Sequence, residues 1–448
     1  MLELQISSAP AQDELPFPSA PRAWWAVAVL LLLAALSFLD RQVLFLMVDR
    51  IKPALKITDF QFSLLQGFAF ALFYTVFGLP FGWAVDRFSR RWIIFVGVTI
   101  WSLAASACGL AQTFWQLAFA RFGVGIGEAA LSPAAFSLLS DTFPKKRLTM
   151  AIAVFAIGGL IGSAASLAIG GLFVELLPKH GASLPIVGHL ANWQLVFVLT
   201  GLPCLATSWL VFTIADPVRR GRLSASPTTI PDALRFMGGH WRFYAGHFAG
   251  FGLISLIGYA GFAWVPSYLH RVFGWNMIAI ASIMAICTGG GSIIGGFSQG
   301  VIVQRWFRAG RQDAHLRFFI FVAMAQSVLL LIGVAAHNPY VFLVFLTIST
   351  LGSSSTGVSA SALQLVTPNE FRGQVSALYL LVFNLLGIGL GPSIPAALTV
   401  YVFKNDHMVG WSIVLTYLVL APLAALCFAS AERPMREMQA AAEPSLAA

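Results

Sequence analysis

The chain has 448 residues, of which 58% are hydrophobic and 10% charged; soluble domains average about 45–50% and about 25%. Its mean hydropathy of +0.81 leaves too little charge to cover a water-soluble surface. The net charge of +9 comes from short basic runs between long apolar stretches, with no basic stripe interleaved with aromatics, so nucleic acid is excluded as the partner. What remains is an all-α protein that crosses a bilayer many times.

Residues 1–22 are polar, with Glu3, Asp13 and Glu14 ahead of Arg22. That order does not fit a signal peptide and predicts a disordered cytoplasmic tail. A spanning helix needs about 20 apolar residues. Twelve stretches qualify: 23–48, 60–85, 92–112, 114–140, 148–177 and 192–215, then 241–269, 276–304, 316–337, 339–366, 373–402 and 409–431. Between the two sets lies a long polar connection, 216–240, carrying Asp216, Pro217, Arg219, Arg220, Arg222 and Pro231. The expected plan is a six-helix bundle over 23–215, a cytoplasmic linker over 216–240, a second six-helix bundle over 241–431 and a cytoplasmic tail over 432–448.

Cytoplasmic loops of membrane proteins collect Lys and Arg. With the N-terminus placed inside, 19 of the 27 basic residues fall on the side of the termini and 6 on the other; Arg41 and Arg121 lie within helices. Both termini are therefore expected to be cytoplasmic. The halves also repeat weakly. Gly82-x-x-x-Asp86-Arg87-x-x-Arg90 after the second helix matches Gly300-x-x-x-Gln304-Arg305-x-x-Arg308 after the eighth, at an offset of 218 residues. An offset near half the length is expected of a duplicated unit. Cys108, Cys204, Cys287 and Cys427 all sit in apolar segments without metal-ligand spacing, so no metal site and no resident cofactor are expected.

The loop Gly82-x-x-x-Asp86-Arg87-x-x-Arg90-Arg91 resembles the signature loop of the major facilitator superfamily, and Arg121-Phe-Gly-Val-Gly125-Ile-Gly127-Glu128-Ala129 resembles its fourth-helix motif. Within that superfamily the chain is similar to the bacterial homologues of spinster-like lipid transporters. This is carried by Leu39-Asp40-Arg41-Gln42, Gly127-Glu128-Ala129 and Trp193-Gln-Leu-Val-Phe197…Gly201-Leu-Pro203. The resemblance implies the major facilitator fold, two pseudo-symmetric six-helix bundles, and alternating-access transport of an amphipathic lipid such as a lysophospholipid or sphingolipid-like compound. Gln304 stands where the first-half loop has Asp86, so no equivalent charge latch is expected in the second half.

Four charges lie inside helices, all in the first half: Asp40, Arg41, Arg121 and Glu128. A charge at mid-membrane costs about 2.5–3.5 kcal/mol on insertion scales, so each must face protein or a water-filled cavity. Asp40 and Arg121 are expected at similar depth and hence paired, with Glu128 deeper. Two acids without a metal motif suit a proton relay, and the resemblance strengthens that assignment: Asp40 and Glu128 would carry protons as the coupling ion, while Arg41 and Arg121 hold the substrate's anionic group. The competing reading is a permanently paired network that only sets helix register. The signature loop, Gly82, Asp86, Arg87, Arg90 and Arg91, is read as a gate, with Gly82 permitting close helix approach and Asp86 able to pair or release.

In the second half Asn384, Tyr379 and Gln364 are the polar candidates for a substrate cavity, against a packing role for the neighbouring serines. Gly158, Gly162, Ser166 and Gly170, four apart, predict a close helix crossing. His180, His189, His270 and His315 are placed in loops as surface residues. Gly296-Phe-Ser298-Gln-Gly300 matches G-x-S-x-G but falls in a helix and not on a strand-to-helix turn, and no nucleotide-binding G-x-x-x-x-G-K-[ST] occurs; the chain is read as a carrier and not an enzyme. A carrier for a small organic anion or drug is the second reading, and a non-transporting receptor the third. Short loops without a glycosylation-rich domain suggest a bacterial inner membrane, and a monomer is expected.

Overall fold

The structure is a computed structural model; it describes residues 17–85, 87–185, 187–219, 230–352, 355–368 and 370–442. The readings made for residues 1–16, Asp86, the middle of the linker and 443–448 lie outside these. Twelve helices long and apolar enough to cross a membrane follow one another: α1 (Ala20–Leu46), α2 (Asp59–Val85), α3 (Arg90–Cys108), α4 (Phe114–Thr142), α5 (Lys145–Leu176), α6 (Asn192–Thr213), α7 (Trp241–Phe273), α8 (Met277–Arg308), α9 (Ala314–Ala335), α10 (Pro339–Val366), α11 (Arg372–Phe403) and α12 (Val409–Ala442). Local chemistry sets their ends. Thr58 and Gln61 form a reciprocal cap at the start of α2, with bonds of 3.2 and 2.9 Å. The Asn276 side-chain Oδ1 accepts from the Ala279 amide at 2.8 Å to start α8. Gly274, at φ +69°, ends α7 where a side chain would be strained.

Three spans are interrupted, α11 by a turn at Gly391 and Pro392. α4 is two helical runs, Phe114–Glu128 and Leu131–Thr142. Pro133 lacks the N–H that would bond the Ala129 carbonyl, so the ladder is broken just after Glu128. α10 is likewise divided into Pro339–Leu351 and Thr356–Val366. Wider π turns occur at Leu64–Phe68 in α2, Ala285–Gly290 in α8, and Leu385–Leu390 and Leu398–Phe403 in α11.

Three expectations change. α12 runs on to Ala442, into the region read as tail, where Arg433 and Glu437 pair one turn apart at 2.7 Å and Met435 is fully buried. The linker contains a helix, Ile230–Gly239, whose Phe236 stacks on Phe371 with ring centroids 5.2 Å apart. A short antiparallel hairpin, β1 (Ala182–Leu184) and β2 (Gly188–Leu190), follows α5.

Packing follows the small residues. A Cβ on Gly158 or Gly162 would lie 2.7 Å from the Leu31 carbonyl oxygen or 2.2 Å from that of Ala35, so the close crossing expected of this stripe is present, and its partner is α1. Within the first six helices α1 packs on α5 and α3 on α4 and α6; within the second, α12 packs on α7 and α9. The halves meet chiefly through the ends of the helices farthest from the termini. Gly67 lies against the backbone of Ile388 and Gly389, and Gly171 against Met277 and Ala281. Ser63 reaches Ser393 at 3.3 Å, and Phe45 meets Phe262 edge-on at 5.5 Å.

Candidate functional site

The four intrahelical charges converge inside the first half. Asp40 is 1% exposed, Arg121 0%, Glu128 2% and Arg41 8%. None faces the surrounding lipid. The pairing differs from the expected one. Arg41 forms the ion pair with Glu128, and the Ser37 hydroxyl donates to the same carboxylate oxygen at 2.8 Å. Ser37 and Arg41 are one turn apart on α1, so both reach the point where α4 breaks. Asp40, one residue away, is turned about 100° around the helix and meets α6, where the Cys204 thiol lies 3.6 Å from its carboxylate.

Arg121 is left without a partner. None of its three side-chain nitrogens has a hydrogen bond among the described residues, and neither do Asp40 Oδ1 and Glu128 Oε1. Phe70 of α2 stands between the two arginines: its ring centre is 4.3 Å from the Arg41 guanidinium carbon and 5.6 Å from that of Arg121. Phe38 and Tyr74 complete an aromatic wall around Arg41 at 4.8 and 5.3 Å. An unpaired buried cation beside a half-satisfied carboxylate is costly. Such an arrangement can take an anion, or exchange a proton for a changed pairing.

A second cluster sits where the halves touch. At the end of α7, Arg271 bonds Asp49 at 2.7 Å and Asp59 through two nitrogens at 2.7 and 3.0 Å. Lys52 joins Asp59 at 2.8 Å to Asp406 at 2.6 Å. Asp49, Lys52 and Asp59 belong to the first half, Arg271 and Asp406 to the second, so the cluster ties the terminus-distal mouth shut. Sequence reasoning missed it because partners up to 354 residues apart carry no local signal.

The signature loop behaves differently. Asp86 lies outside the described residues. Arg87 stacks on Trp83 at 4.2 Å. Arg90 is 1% exposed and donates to Asp141, to Asp216 at 2.7 Å, to the Ser137 carbonyl at 3.1 Å and to the Pro217 carbonyl. Arg91 reaches the Ile214 carbonyl at 3.3 Å. All these partners are in the first half or at its exit. The close approach expected at Gly82 is absent: a Cβ there would find nothing within 4 Å, because the halves touch at the opposite end.

The second-half candidates separate. Tyr379 is buried in the core of that bundle, donating to Ser359 Oγ at 2.8 Å with the His247 ring 5.1 Å away. Asn384 is half-buried immediately before the π turn of α11. Gln364 is exposed in a cleft of about 900 Å³ between α8 and α10. His315, expected on the surface, is only 8% exposed, in the first turn of α9 beside this cleft. Ser298 lies within α8 and donates to the Gly295 carbonyl at 3.1 Å, while His247 bonds the Ser359 carbonyl; they form no nucleophile–base pair.

Residues 30–392 match the sequence pattern of the Major Facilitator Superfamily. The chain is 26% identical over 388 residues to an MFS-type efflux pump of Mycolicibacterium smegmatis, covering 84% of this chain and 85% of that one. It is 24% identical over 405 residues to protein spinster of Drosophila melanogaster, covering 86% and 63%, and 24% identical over 384 residues to the hexuronate transporter of Escherichia coli, covering 79% and 82%. The crystal structure of a bacterial homologue of the human lysosomal transporter spinster, inward-facing and unoccupied, superposes with a TM-score of 0.79 at 22% identity, over 94% of this chain and 99% of that one. At that identity the likeness is one of fold. With twelve spanning helices in two sets of six and a family match over most of its length, the chain belongs to the Major Facilitator Superfamily and is a membrane transporter, not an enzyme.

Proposed function

We propose that this transporter moves an amphipathic lipid with an anionic head by alternating access, coupled to protons. The observation that carries the proposal is the Arg41–Glu128 ion pair at the break in α4, with the unpartnered guanidinium of Arg121 beside it. Arg41 cannot hold the Glu128 carboxylate and a substrate anion equally well. Protonation of Glu128 releases Arg41, and an anionic head that occupies both arginines favours the protonated acid in return; by linkage the two binding events assist each other. Asp40, against α6 with one free oxygen, is the second proton carrier. The conformation supports alternating access: the distal mouth is held by the Arg271 cluster, and Gly82 on the terminus side faces open space. With both termini cytoplasmic, as the distribution of basic residues indicates, this is the inward-facing state of an inner-membrane carrier. The lipid substrate rests on the resemblance of the α1, α4 and α6 motifs to those of spinster-like lipid transporters.

A small organic anion is the second reading. It is favoured by the hexuronate transporter among the relatives and by a buried arginine that any carboxylate would satisfy. Proteoliposomes separate the two: labelled single-chain lipid and labelled hexuronate are offered under an imposed pH gradient. Lipid accumulation that follows the gradient and disappears in Glu128→Gln is expected. Gradient-driven uptake surviving in Glu128→Gln removes this acid as the proton site, and uptake of hexuronate alone replaces the lipid.

A further inference from the structure

We propose that the cleft between α8 and α10, at the terminus side of the second half, is a loading site for a single-chain lipid with an anionic head. It rests on the lipid reading above, but lies in the other half of the molecule from the charge quartet. Its volume of about 900 Å³ is at the upper end of small-molecule sites. Its chemistry changes along its length. Toward mid-helix the walls are apolar, with Phe297 79% exposed on α8 and Val358 near the start of the second run of α10. Seven residues further along α8, about 10 Å nearer the terminus side, the lining becomes polar: Gln304, His315 and Arg372.

Arg372 is anchored at this end by bonds to the Thr367 carbonyl at 3.0 Å and the Gln364 carbonyl at 2.8 Å, so its cation is fixed in place. No acidic side chain is among the lining residues. His315 is more than nine-tenths buried, packs on Phe307 at 5.5 Å between ring centroids, and has an Nδ1 without a hydrogen-bond partner. That nitrogen has no partner to give up before it bonds a polar head at this end of the cleft. The orientation suits a lipid taken from the adjoining leaflet: the head lies among His315, Gln304 and Arg372 at the interface, the chain along Phe297 and Val358 toward the bilayer middle. The cleft is roomy because its walls carry glycine; a Cβ on Gly300 or Gly357 would find nothing within 4 Å.

That empty space supplies the test. Gly300→Trp and Gly357→Leu put side chains into the cleft from positions where a Cβ meets nothing within 4 Å, and an unchanged melting temperature establishes folding. Purified full-length protein is titrated with a fluorescent lysophosphatidylglycerol, with glycerol 3-phosphate and an uncharged single-chain alcohol as competitors. The expected result is a loss of lipid affinity of at least about tenfold in both variants, and competition by neither the chain-free head nor the headless chain. Wild-type affinity in both filled variants overturns the cleft while leaving the lipid reading intact. Wild-type protein that binds no lysolipid overturns both. Full competition by the alcohol shows an apolar surface only and removes the anionic-head assignment.

Discussion

Asp59→Asn should unlock the distal mouth. Asp59 is fully buried and takes two bonds from Arg271 and the ion pair from Lys52. Hydrogen bonds to charged groups contribute about 1.5–3 kcal/mol each, and the asparagine retains one acceptor oxygen while turning an NH₂ toward two cations. A net loss of about 2–3 kcal/mol from the distal-closed state follows, because these contacts bridge the halves and are broken when the mouth opens. At about 1.4 kcal/mol per tenfold, that is a shift of roughly 30- to 150-fold. A distal-open population of about 1% would rise to roughly 25–60%. Spin labels at Ala54 and Val272, exposed positions on opposite halves, read the change as a longer component in the distance distribution. The charge exchange Asp59→Arg with Arg271→Asp should restore part of the short component. Distributions identical in wild type and Asp59→Asn would refute the assignment of this cluster as the latch.

Gly162→Ala should lower the melting temperature, by overpacking worth about 1–3 kcal/mol, since its Cβ would sit 2.2 Å from the Ala35 carbonyl oxygen; Gly82→Ala, with open space around it, should leave the temperature unchanged. Differential scanning fluorimetry in detergent checks both, and equal melting temperatures would contradict the packing argument. Arg90→Ala should cost about 3–5 kcal/mol, because Asp141 and Asp216 lose their shared buried cation. Its signature is a large drop in thermal stability with the Ala54–Val272 distances of the surviving folded protein unchanged. A shift of those distances without destabilisation would make Arg90 a gate residue instead.

Hydropathy located the twelve spans within a few residues, because the bilayer demands an apolar run of fixed length. It missed the true end of α12, whose last turns are amphipathic and held by Met435 and local charge pairs, for which a hydropathy window has no term. The four charges of the quartet were legible as buried, since an isolated charge in an apolar helix must find company. Their pairing was not. Depth along the axis joined Asp40 to Arg121, but azimuth decides contact, and one residue of rotation gave Arg41 to Glu128. His315 was misplaced for a similar reason. It opens a helix in the sequence, yet the fold tucks that first turn behind Phe307. The Arg271 cluster lay in loops whose basic residues were counted and whose acids were not.

The length of α12 has a practical corollary. At about 1.5 Å per residue its 34 residues span about 51 Å, against a hydrocarbon thickness of about 30 Å. Roughly 20 Å of rod therefore stands clear of the bilayer, braced by Arg317 against Glu432 at 3.2 Å and by Gln439 against the Gln312 carbonyl at 3.2 Å. A fluorophore on this projecting stretch would swing with the second bundle as one lever, magnifying a small rotation inside the membrane into a displacement that optical measurements on single molecules can follow.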